Sequence, residues 1–563
     1  MLNLSTRHDF HTLLDSLTLR EANEQPAVIY LSVEAEPVTV SRAEFVRSIT
    51  GYGAALRGMG IQPRDLVIIA HTQDLESVFA FWGALTIGAI PSMFPTLTEK
   101  LDSQIYIANI TELVALSNVR AVLTTDEFAP ALAEHVVCPV YGSGALLGSL
   151  DEKALFTLYM PDEDEIAFLQ HSSGTTGLQK GVALTHRAVL NQLASYSTAI
   201  ALNESDVIVS WLPLYHDMGL IAGFLLPLVQ GVPLVMMSPF EWVKSPAMLF
   251  RAIDQYHGTL CWLPNFAYNH CARRIRQRDL EGLSAASMRM FINCSEPVYA
   301  ESHALFAERF APLGVKPEML AVSYAMAENT FAVTQTPPGE TPHHDMINRV
   351  LLQSDLRAEP VEADHPNAVV KVSCGKPIAG VSVRVVDAEG MPLPERSVGE
   401  IAIQSDSMLT GYYMRPDLNS LRDGWYLTGD RGYIADGEVY IVGRSKDLII
   451  NAGKNVYPQD IEAIVNGVQG VHAGRAVVFG VPDEREGTEL IAVVAEVDTE
   501  DAEARKRITQ GIRQAVAQGS TVTLNYVHLV DAKWLIKTSS GKIARAANRD
   551  KWLRMNAPER TQN

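Results

Sequence analysis

HSSGTTGLQKGVALTH, residues 171–186, is a stretch rich in glycine and hydroxyl side chains between two segments of regular structure. It follows an apolar segment of strand type, EIAFLQ, and precedes a helix that Thr185 could cap. Gly174 and Gly177 allow backbone amides to close on an anion, and Lys180 adds a positive charge. Four more residues offer hydroxyl donors: Ser172, Ser173, Thr175 and Thr176. We therefore predict a loop that binds phosphate groups.

The predicted loop differs from a Walker A loop. Gly181 follows Lys180, so the GxxxxGK[ST] spacing is absent. A flexible linker rich in Ser, Thr and Gly is the alternative interpretation. The phosphate-binding interpretation is favoured because a strand, a glycine-rich loop and a lysine occur together.

The first 200 residues alternate between strand-like and helical segments. DLVIIA, residues 65–70, predicts a strand, the following segment up to Gly88 predicts a helix, and AIPSMFP predicts the next strand with its loop. Such alternation implies parallel sheets flanked by helices. We therefore expect an α/β fold whose large N-terminal domain covers residues 1–443.

A second region begins near Gly443. Its sequence, VYIVGRSKDLIINAGKNVYPQDIEAIV, runs from a strand through a charged turn to a helix with Pro458 in its first turn. Residues 444–557 suffice for a small α+β domain, and the tail at 558–563 is expected to be disordered. A polar stretch at about 337–371 interrupts the large domain, and we interpret it as a surface loop or insertion.

Composition narrows the class of protein. The net charge of −19 argues against nucleic acid or an anionic membrane as the main partner. The five cysteines are scattered without a CxxC pair, which indicates neither a zinc site nor a disulfide framework and fits a reducing cytoplasm. The N-terminus lacks the pattern of a signal peptide. The apolar stretch 220–237 contains Gly231 and Pro233, which predict a buried helix and a strand rather than an integral membrane segment.

The loop at 171–186 resembles that of the adenylate-forming superfamily, which comprises acyl-CoA synthetases, adenylation domains of peptide synthetases and luciferases. Four further motifs follow in the family's order across nearly the whole chain. They are YAMAE at 324–328, WYLTGD at 425–430, GRSKD at 443–447 and IKTSSGKIAR at 536–545. Each match alone is weak, but five in order identify the chain as a member of this superfamily.

The resemblance implies a role for one residue or more in each motif. Tyr324 would stack on adenine, Glu328 would hold Mg²⁺, and Asp430 would accept both ribose hydroxyls. Arg444 would lie near the ribose and phosphate. Lys542 would bridge the reacting carboxylate and the α-phosphate.

The chemistry of the superfamily explains this set of residues. A carboxylate that attacks the α-phosphate of ATP brings two anions together, so their repulsion must be offset. Mg²⁺ on Glu328, the ammonium of Lys542 and the loop at 172–177 would offset it. No general base is needed, because the carboxylate is already ionised at neutral pH. Lys446 matches the hinge about which the family's small, mobile domain rotates.

Within the superfamily, the chain resembles the fatty acyl-AMP ligases, which pass the acyl group to the phosphopantetheine of a carrier protein. WLPLYHDMGL at 211–220, PNFAY at 264–268, CSEPV at 294–298 and NVYPQDIE at 455–462 are similar to that branch. The insertion at about 337–371 also matches, and in that family it restrains domain motion and disfavours coenzyme A. We therefore expect a fatty acid as substrate and an acyl carrier protein or carrier domain, supplied in trans, as partner.

Three residues in these motifs are further candidates. His216 matches a position that borders the acyl pocket, and we take it as a second catalytic candidate beside Lys542. The alternative for His216 is a polar residue satisfied in the core. Ser295 and Glu296, within CSEPV, are candidates for contacts with ATP.

Two alternative functions stay open at this point. The loop sequence GTTGLQKG has the form common in acyl-CoA synthetases, so a synthetase that uses free coenzyme A is one alternative. A catalytically silent nucleotide-binding scaffold is the other, since a fold alone does not fix an activity. The presence of Lys542, Glu328 and the complete loop argues against the scaffold.

Overall fold

The chain folds as an α/β protein with a large N-terminal domain and a smaller C-terminal domain, which confirms the predicted fold class. The computed structural model describes residues 10–18, 23–97, 103–148, 157–171, 180–418, 421–483, 488–538 and 541–556. The tail at 558–563 lies outside these ranges.

The larger sheet of the N-terminal domain contains nine strands. Its six central strands run parallel to one another, and antiparallel strands lie at both edges. Parallel neighbours need crossover connections, and the helices between the strands provide them. In spatial order the strands are Lys376–Pro377, Ala332–Gln335, Leu320–Ala325, Met290–Asn293, Leu260–Leu263, Ile208–Ser210, Leu234–Met237, Pro26–Leu31 and Val38–Ser41.

A second sheet of the N-terminal domain contains four parallel strands. In spatial order they are Ile90–Met93, Leu66–Ala70, Ala121–Thr124 and Val140–Gly142. The two strands and the helix predicted between residues 65 and 95 are confirmed, the helix as Leu75–Thr86. All residues of Leu66–Ala70 are buried, as expected for a parallel strand covered on both faces.

Helices cover both sheets. The main core includes Trp82, Trp242 and Trp262, and a second core lies between the helix Ser103–Leu116 and the four-stranded sheet. Several begin with a polar cap; Ser41 and Glu44, for example, form a capping box. The α-helices up to residue 354 are Asp15–Thr18, Arg42–Gly58, Leu75–Thr86, Ser103–Leu116, Ala129–Ala133, Ser143–Leu147, His186–Ala199, Leu226–Gln230, Pro239–Lys244, Ala247–Tyr256, Asn265–Arg274, Ala300–Phe310 and Arg349–Ser354.

The predicted phosphate loop joins two antiparallel strands, Ile166–His171 and Gly181–Thr185. The second strand also pairs with Gly411–Tyr412. Thr185 caps the helix His186–Ala199 by accepting a hydrogen bond from the Ala188 amide, as predicted. A strand therefore lies between the loop and this helix, which the sequence pattern did not show. This helix is thus one strand removed from the loop, unlike the helix that directly follows a Walker A loop.

The apolar stretch at 220–237 is a buried helical segment followed by a strand, as predicted. It begins as a π-helix, Met218–Leu225, and continues as the α-helix Leu226–Gln230. Gly231 ends the helix at φ 77°, a left-handed conformation that glycine adopts without strain. Among the described residues, no helix is both long and apolar enough to span a membrane.

An antiparallel sheet and the polar insertion complete the N-terminal domain. The sheet contains Val381–Val386, Gly399–Ser405, Trp425–Ala435, Leu421–Arg422 and Glu438–Arg444. The insertion is more than a surface loop, because it forms the strand pair His344–Asn348 and Ala368–Val372 around the helix Arg349–Ser354. Its Ile347 and Leu352 are completely buried, in one core with Tyr433 and Tyr457.

The C-terminal domain has its own core, formed by residues between Ile449 and Leu529. Its strands are Ile449–Asn451, Lys454–Val456, Val471–Asp483, Thr488–Val497 and Tyr526–Val530, and its helices are Pro458–Asn466, Ala502–Gly519 and Arg545–Asn556. Pro458 occupies the first turn of its helix, as predicted. The boundary between 443 and 444 stays a prediction; it falls at the last residue of the strand Glu438–Arg444.

A short chain of hydrogen bonds crosses the N-terminal core. The indole Nε1 of Trp262 donates to the hydroxyl of Tyr196 over 2.7 Å, and that hydroxyl donates to Gln335 Oε1 over 2.9 Å. All three residues are buried. These two hydrogen bonds link one helix to two strands of the nine-stranded sheet, so the Tyr196 hydroxyl satisfies two buried partners at once.

We predict that Tyr196→Phe destabilises the protein by roughly 1–3 kcal/mol, because it leaves a buried donor and a buried acceptor without partners. The measurement is the midpoint of urea-induced unfolding. Tyr526→Phe is the matched control, since Tyr526 is 39% exposed and a surface change should shift stability by less than about 0.5 kcal/mol. Equal midpoints for the two variants would contradict the importance of this network.

Candidate active site

The predicted phosphate loop is described only at its two ends. Six of its predicted ligands lie outside the described residues: Ser172, Ser173, Gly174, Thr175, Thr176 and Gly177. Lys180 is described, and its ammonium lies 4.9 Å from the centroid of the Tyr412 ring. This cation–π distance places the end of the loop beside the strand Gly411–Tyr412.

Tyr324, Asp430 and Arg444 form one hydrogen-bonded group. The Tyr324 hydroxyl donates to Asp430 Oδ2 over 2.6 Å, and Arg444 Nε donates to Asp430 Oδ1 over 3.0 Å. Asp430 and Arg444 meet because they are register partners on adjacent antiparallel strands. The Asp430 carboxylate raises the pKa of Arg444, which therefore stays charged. Each Asp430 oxygen retains further acceptor capacity for a ligand hydroxyl.

Glu328 lies in a short 3₁₀ turn directly after the strand that ends near Tyr324. Its Oε1 accepts a hydrogen bond of 2.9 Å from the Tyr412 hydroxyl, which also lies 2.9 Å from the Tyr426 hydroxyl. Within the described part of the chain, Glu328 Oε2 accepts no hydrogen bond. Tyr412 thus connects Glu328 to Lys180, and this connecting role was not predicted from the sequence.

Lys542 is carried by a tight turn of the C-terminal domain. The Thr538 amide donates to the Lys542 carbonyl over 2.7 Å, and residues 537 and 543 form an antiparallel bridge. Three residues further on, Arg545 donates to Asp447 over 2.9 Å and to Glu462 over 2.7 Å. These charge-assisted bonds hold the lysine-bearing segment against the chain that follows the predicted hinge.

The side chain of Lys542 is influenced by charges of the N-terminal domain. Burial lowers its pKa, the carboxylates of Asp217 and Glu296 offset part of that change, and Arg444 lowers it further. The charges that act on Lys542 therefore come from three separate segments of the chain. The charges of Glu296 and Arg444, two further candidate residues, thus act on Lys542.

His216 and Asp217 are a close pair of largely buried side chains. His216 Nδ1 lies 2.5 Å from Asp217 Oδ1, which also accepts a hydrogen bond of 2.8 Å from the Met218 amide. Asp217 therefore caps the π-helix that starts at Met218. Burial raises the pKa of Asp217, but His216, Lys542 and the Met218 amide together lower it by more, so the net pKa is depressed and the carboxylate is ionised.

Asp217 is a further candidate site residue, which the sequence interpretation did not name. Its signal was present in the motif HDMGL, where it directly follows His216. Only the folded structure shows that a lysine more than 300 residues away in the chain faces it. His216 Nδ1 lies close to Asp217 but forms no hydrogen bond among the described residues, so the contact does not decide between the two interpretations of His216.

Ser295 and Glu296 follow the central strand Met290–Asn293. Ser295 has φ 71°, a left-handed conformation that is uncommon for a residue with a side chain. Glu296 Oε2 accepts a hydrogen bond of 2.9 Å from the Phe266 amide, at the start of the helix Asn265–Arg274. The turn thus places the Glu296 carboxylate where its charge acts on Lys542.

The insertion contacts the C-terminal domain through polar groups. Lys371 Nζ lies 2.9 Å from Asp460 Oδ1, and the Asn455 side chain donates to the Gln353 carbonyl over 3.0 Å. The Arg349 guanidinium donates to the carbonyl of Gly519. The insertion therefore bridges the two domains in the arrangement that places Lys542 in the site.

Comparison with known families identifies this chain. The AMP-binding enzyme family matches residues 18–413, and the C-terminal domain of AMP-binding enzymes matches residues 460–542. The chain belongs to the AMP-binding enzyme family. It is an adenylate-forming ligase, as the motifs predicted.

Two relatives of this AMP-binding enzyme are named as fatty-acid ligases. A long-chain-fatty-acid–AMP ligase of Mycolicibacterium smegmatis is 32% identical, over 87% of this chain and 85% of the relative. A medium-chain-fatty-acid–[acyl-carrier-protein] ligase of Moorena producens is 30% identical, over 97% of this chain and 96% of the relative. The match therefore includes both domains.

A solved structure from a study of fatty acyl-adenylate ligases of E. coli and L. pneumophila is 28% identical. It covers 98% of each chain with a TM-score of 0.89. A fatty acyl-adenylate ligase from L. pneumophila, solved with acyl adenylate and pyrophosphate, is 27% identical, covers 97% of each chain and has a TM-score of 0.73.

We predict that Asp217→Asn lowers the pKa of Lys542 further, because it removes a negative charge that stabilises the ammonium. The measurement is an NMR titration of the ¹³C-methylated lysines, with Lys542→Arg to assign the signal. Glu296→Gln is the comparison and should lower the same pKa by less, since Asp217 is the stronger influence. An unchanged Lys542 pKa in Asp217→Asn would show that the two side chains do not interact.

Proposed function

We propose that this enzyme activates a fatty acid with ATP to form an acyl-adenylate and passes the acyl group to the phosphopantetheine thiol of a carrier protein. The observation that carries the proposal is the position of Lys542. Its charge environment includes Asp217, Glu296 and Arg444, and Arg444 in turn faces Asp430. This conformation supports a role for a lysine of the C-terminal domain at the proposed nucleotide site.

The relatives support the nature of the acid and the acceptor. One is named for a long-chain fatty acid and for AMP, and another for a medium-chain fatty acid and an acyl carrier protein. Both match more than four-fifths of this chain, including the lysine-bearing C-terminal domain. A fatty acid, ATP and a carrier protein are thus the proposed reactants.

ATP would bind with its base and sugar against the group formed by Tyr324, Asp430 and Arg444. The Tyr324 ring supplies a flat apolar face for adenine, and the Asp430 oxygens accept from the ribose hydroxyls. The phosphates would extend from Arg444 toward Lys180 and the loop at 172–177. In this pose the α-phosphate lies between Arg444 and Lys542, the two cations whose charges meet in the site.

The reaction itself is a displacement at the α-phosphorus. A carboxylate oxygen of the fatty acid forms a bond to this phosphorus, and the bond from the α-phosphorus to the bridging oxygen of pyrophosphate breaks. Lys542 would touch both the carboxylate and the α-phosphate and offset their repulsion. His216 and Asp217 would flank the entering carboxylate. The negative charge of Asp217 would keep Lys542 protonated until the substrate carboxylate binds beside the lysine and takes over this role.

Mg²⁺ is proposed as the cofactor, with Glu328 as its protein ligand. Mg²⁺ binds through one or two carboxylates together with substrate phosphates and water, so a single carboxylate is sufficient here. Glu328 Oε1 is engaged by Tyr412, and Oε2 is the oxygen that remains for a cation. The described residues include no cluster of three or more metal-binding side chains. When bound, the ion would neutralise charge on the β- and γ-phosphates.

The direct test is exchange of labelled pyrophosphate into ATP that depends on an added fatty acid. We expect exchange with at least one member of a chain-length series from C8 to C18. Exchange that is absent with every acid, while ATP still binds, would overturn the proposal and favour a silent nucleotide-binding scaffold. The chain-length profile also identifies the preferred acid.

We predict that Lys542→Ala lowers the exchange rate by about 10²-fold or more, equivalent to a loss of roughly 3 kcal/mol at the transition state. ATP binding, measured by isothermal titration, should persist, since most ATP contacts lie in the N-terminal domain. Lys506→Ala is the control, because Lys506 is exposed on the C-terminal helix Ala502–Gly519. A Lys542→Ala variant with near wild-type exchange would refute the assigned role.

We predict that Glu328→Gln raises the Mg²⁺ concentration needed for half-maximal exchange at least tenfold, because it removes the anionic ligand and keeps the volume. Thermal unfolding should change little. The control is Glu340→Gln, an exposed glutamate after the strand Ala332–Gln335. A large loss of thermal stability with an unchanged Mg²⁺ dependence would assign Glu328 a structural role instead.

The insertion supports a carrier protein rather than free coenzyme A as acceptor. Its bonds to Asp460, Asn455 and Gly519 belong to the domain arrangement that places Lys542 in the site. A rotation of the C-terminal domain about Lys446, the proposed hinge, would break them. A difference of about 2.7 kcal/mol is enough to move an even balance of two states to 99:1.

We predict that the wild type releases little acyl-CoA from ATP, Mg²⁺, a fatty acid and millimolar coenzyme A, and that Arg349→Ala/Lys371→Ala releases several-fold more. Both changes remove bonds to the C-terminal domain and leave the buried Ile347 and Leu352 in place. Arg357→Ala is the control, since Arg357 pairs with Glu359 inside the insertion. Abundant acyl-CoA from the wild type would contradict the acceptor assignment, and equal yields would remove the insertion's role.

A further inference from the structure

An exposed cluster of arginines stands out in this acidic chain. The segment CARRIRQR, residues 271–278, contains four arginines and no acidic residue, although the net charge of the chain is −19. The segment ends the helix Asn265–Arg274 and continues into the following turn. All four arginines of the segment are exposed, as is Arg251 on the helix Ala247–Tyr256. We call these five residues the arginine face: Arg251, Arg273, Arg274, Arg276 and Arg278.

The arginine face consists of residues from two helices, Ala247–Tyr256 and Asn265–Arg274, and from the turn that follows the second helix. Arg276 Nε lies 3.0 Å from Asp279 Oδ2, and Arg278 Nε lies 3.9 Å from Asp279 Oδ1. The hydrogen bond from Arg276 lowers the pKa of Asp279, and the charges of Arg278 and Arg251 lower it further. Three arginines therefore converge on one carboxylate.

The fold does not account for these charges. Among the described residues, Arg251, Arg273 and Arg274 form no ion pair. Cys271 and Ile275 are the members of the segment that are buried in the core. Asp254, Asp279 and Glu281 are the acidic groups nearest in the chain, too few to balance five arginines. Unpaired like charges repel one another, so the face is an unsatisfied electrostatic surface.

The helix Asn265–Arg274 connects the arginine face to the active site. At its first turn, the Phe266 amide donates to Glu296, whose charge acts on Lys542. At 1.5 Å per residue, Arg274 lies about 12 Å further along the helix than Phe266. A phosphopantetheine arm has the length of about five extended residues, roughly 17 Å at 3.4 Å per residue. A carrier seated on the arginine face could therefore place its thiol near the site.

We propose that the arginine face docks the acyl carrier protein through an acidic surface of the carrier. This inference rests on the proposed function, because it supplies the protein partner of the same reaction. Arginine suits such a surface, since its planar fork pairs with carboxylates in a defined geometry. Complementary charge also raises the rate of encounter between the enzyme and the carrier, and this effect falls with ionic strength.

The test compares the full-length wild type with Arg273→Glu/Arg274→Glu. The probe is the holo form of E. coli acyl carrier protein, and the readout is its acylation at several carrier concentrations. Arg47→Glu/Arg57→Glu is the matched control, because it makes the same change in net charge on the exposed side of the helix Arg42–Gly58. Fatty-acid-dependent pyrophosphate exchange is measured for all three proteins, which reports on folding and on adenylation.

We expect unchanged exchange in all three proteins and a KM for the carrier at least tenfold higher in Arg273→Glu/Arg274→Glu alone. The wild-type KM should also rise with added salt more steeply than that of this variant. An unchanged carrier KM, or a wild type that exchanges pyrophosphate but does not acylate this acidic carrier, would overturn the inference. If the wild type bound phosphatidylglycerol vesicles and Arg273→Glu/Arg274→Glu did not, the carrier-docking inference would be overturned and the arginine face would be assigned to membrane binding. Absence of exchange in the wild type would instead count against the proposed function.

Discussion

The repulsion between a carboxylate and a triphosphate is the constraint on which this structure depends. The site must supply positive charge at one point, and the cation assigned to that task comes from a different domain. In this structure the C-terminal domain carries Lys542 to charges of the N-terminal domain, among them Asp217 and Glu296. Arg545 holds the lysine-bearing turn through Asp447 and Glu462, so the position of the lysine follows the position of the whole domain.

Because the site is divided between two domains, contacts that hold the domains together can affect the reaction. The insertion buries Ile347 and Leu352 in a core shared with Tyr433 and with Tyr457 of the C-terminal domain, and it adds polar bonds to that domain. A buried anchor together with a few breakable bonds can bias a domain equilibrium without preventing motion. A carrier protein that docks on the enzyme could use its binding energy to offset the cost of breaking these bonds. Free coenzyme A has no such docking energy.

The sequence predicted the elements whose signals are local. The buried strand Leu66–Ala70, the cap at Thr185 and the break at Gly231 each follow from a few neighbouring residues, and all are confirmed. Contacts between distant segments carried no such signal. The pairing of Gly181–Thr185 with the strand before the loop, the fold of the insertion and the approach of Lys542 to Asp217 depend on sheet register and domain closure, which local patterns do not encode.

The central claim is that the fatty-acid carboxylate attacks the α-phosphorus of ATP. The most direct measurement uses a fatty acid labelled with ¹⁸O in both carboxylate oxygens, together with ATP, Mg²⁺ and the holo-carrier, and analyses the AMP by mass spectrometry. Each turnover should place one ¹⁸O in AMP, because the attacking oxygen stays on the α-phosphorus when the acyl group moves to the thiol. Product AMP without label, or label in phosphate or pyrophosphate, would contradict an acyl-adenylate intermediate.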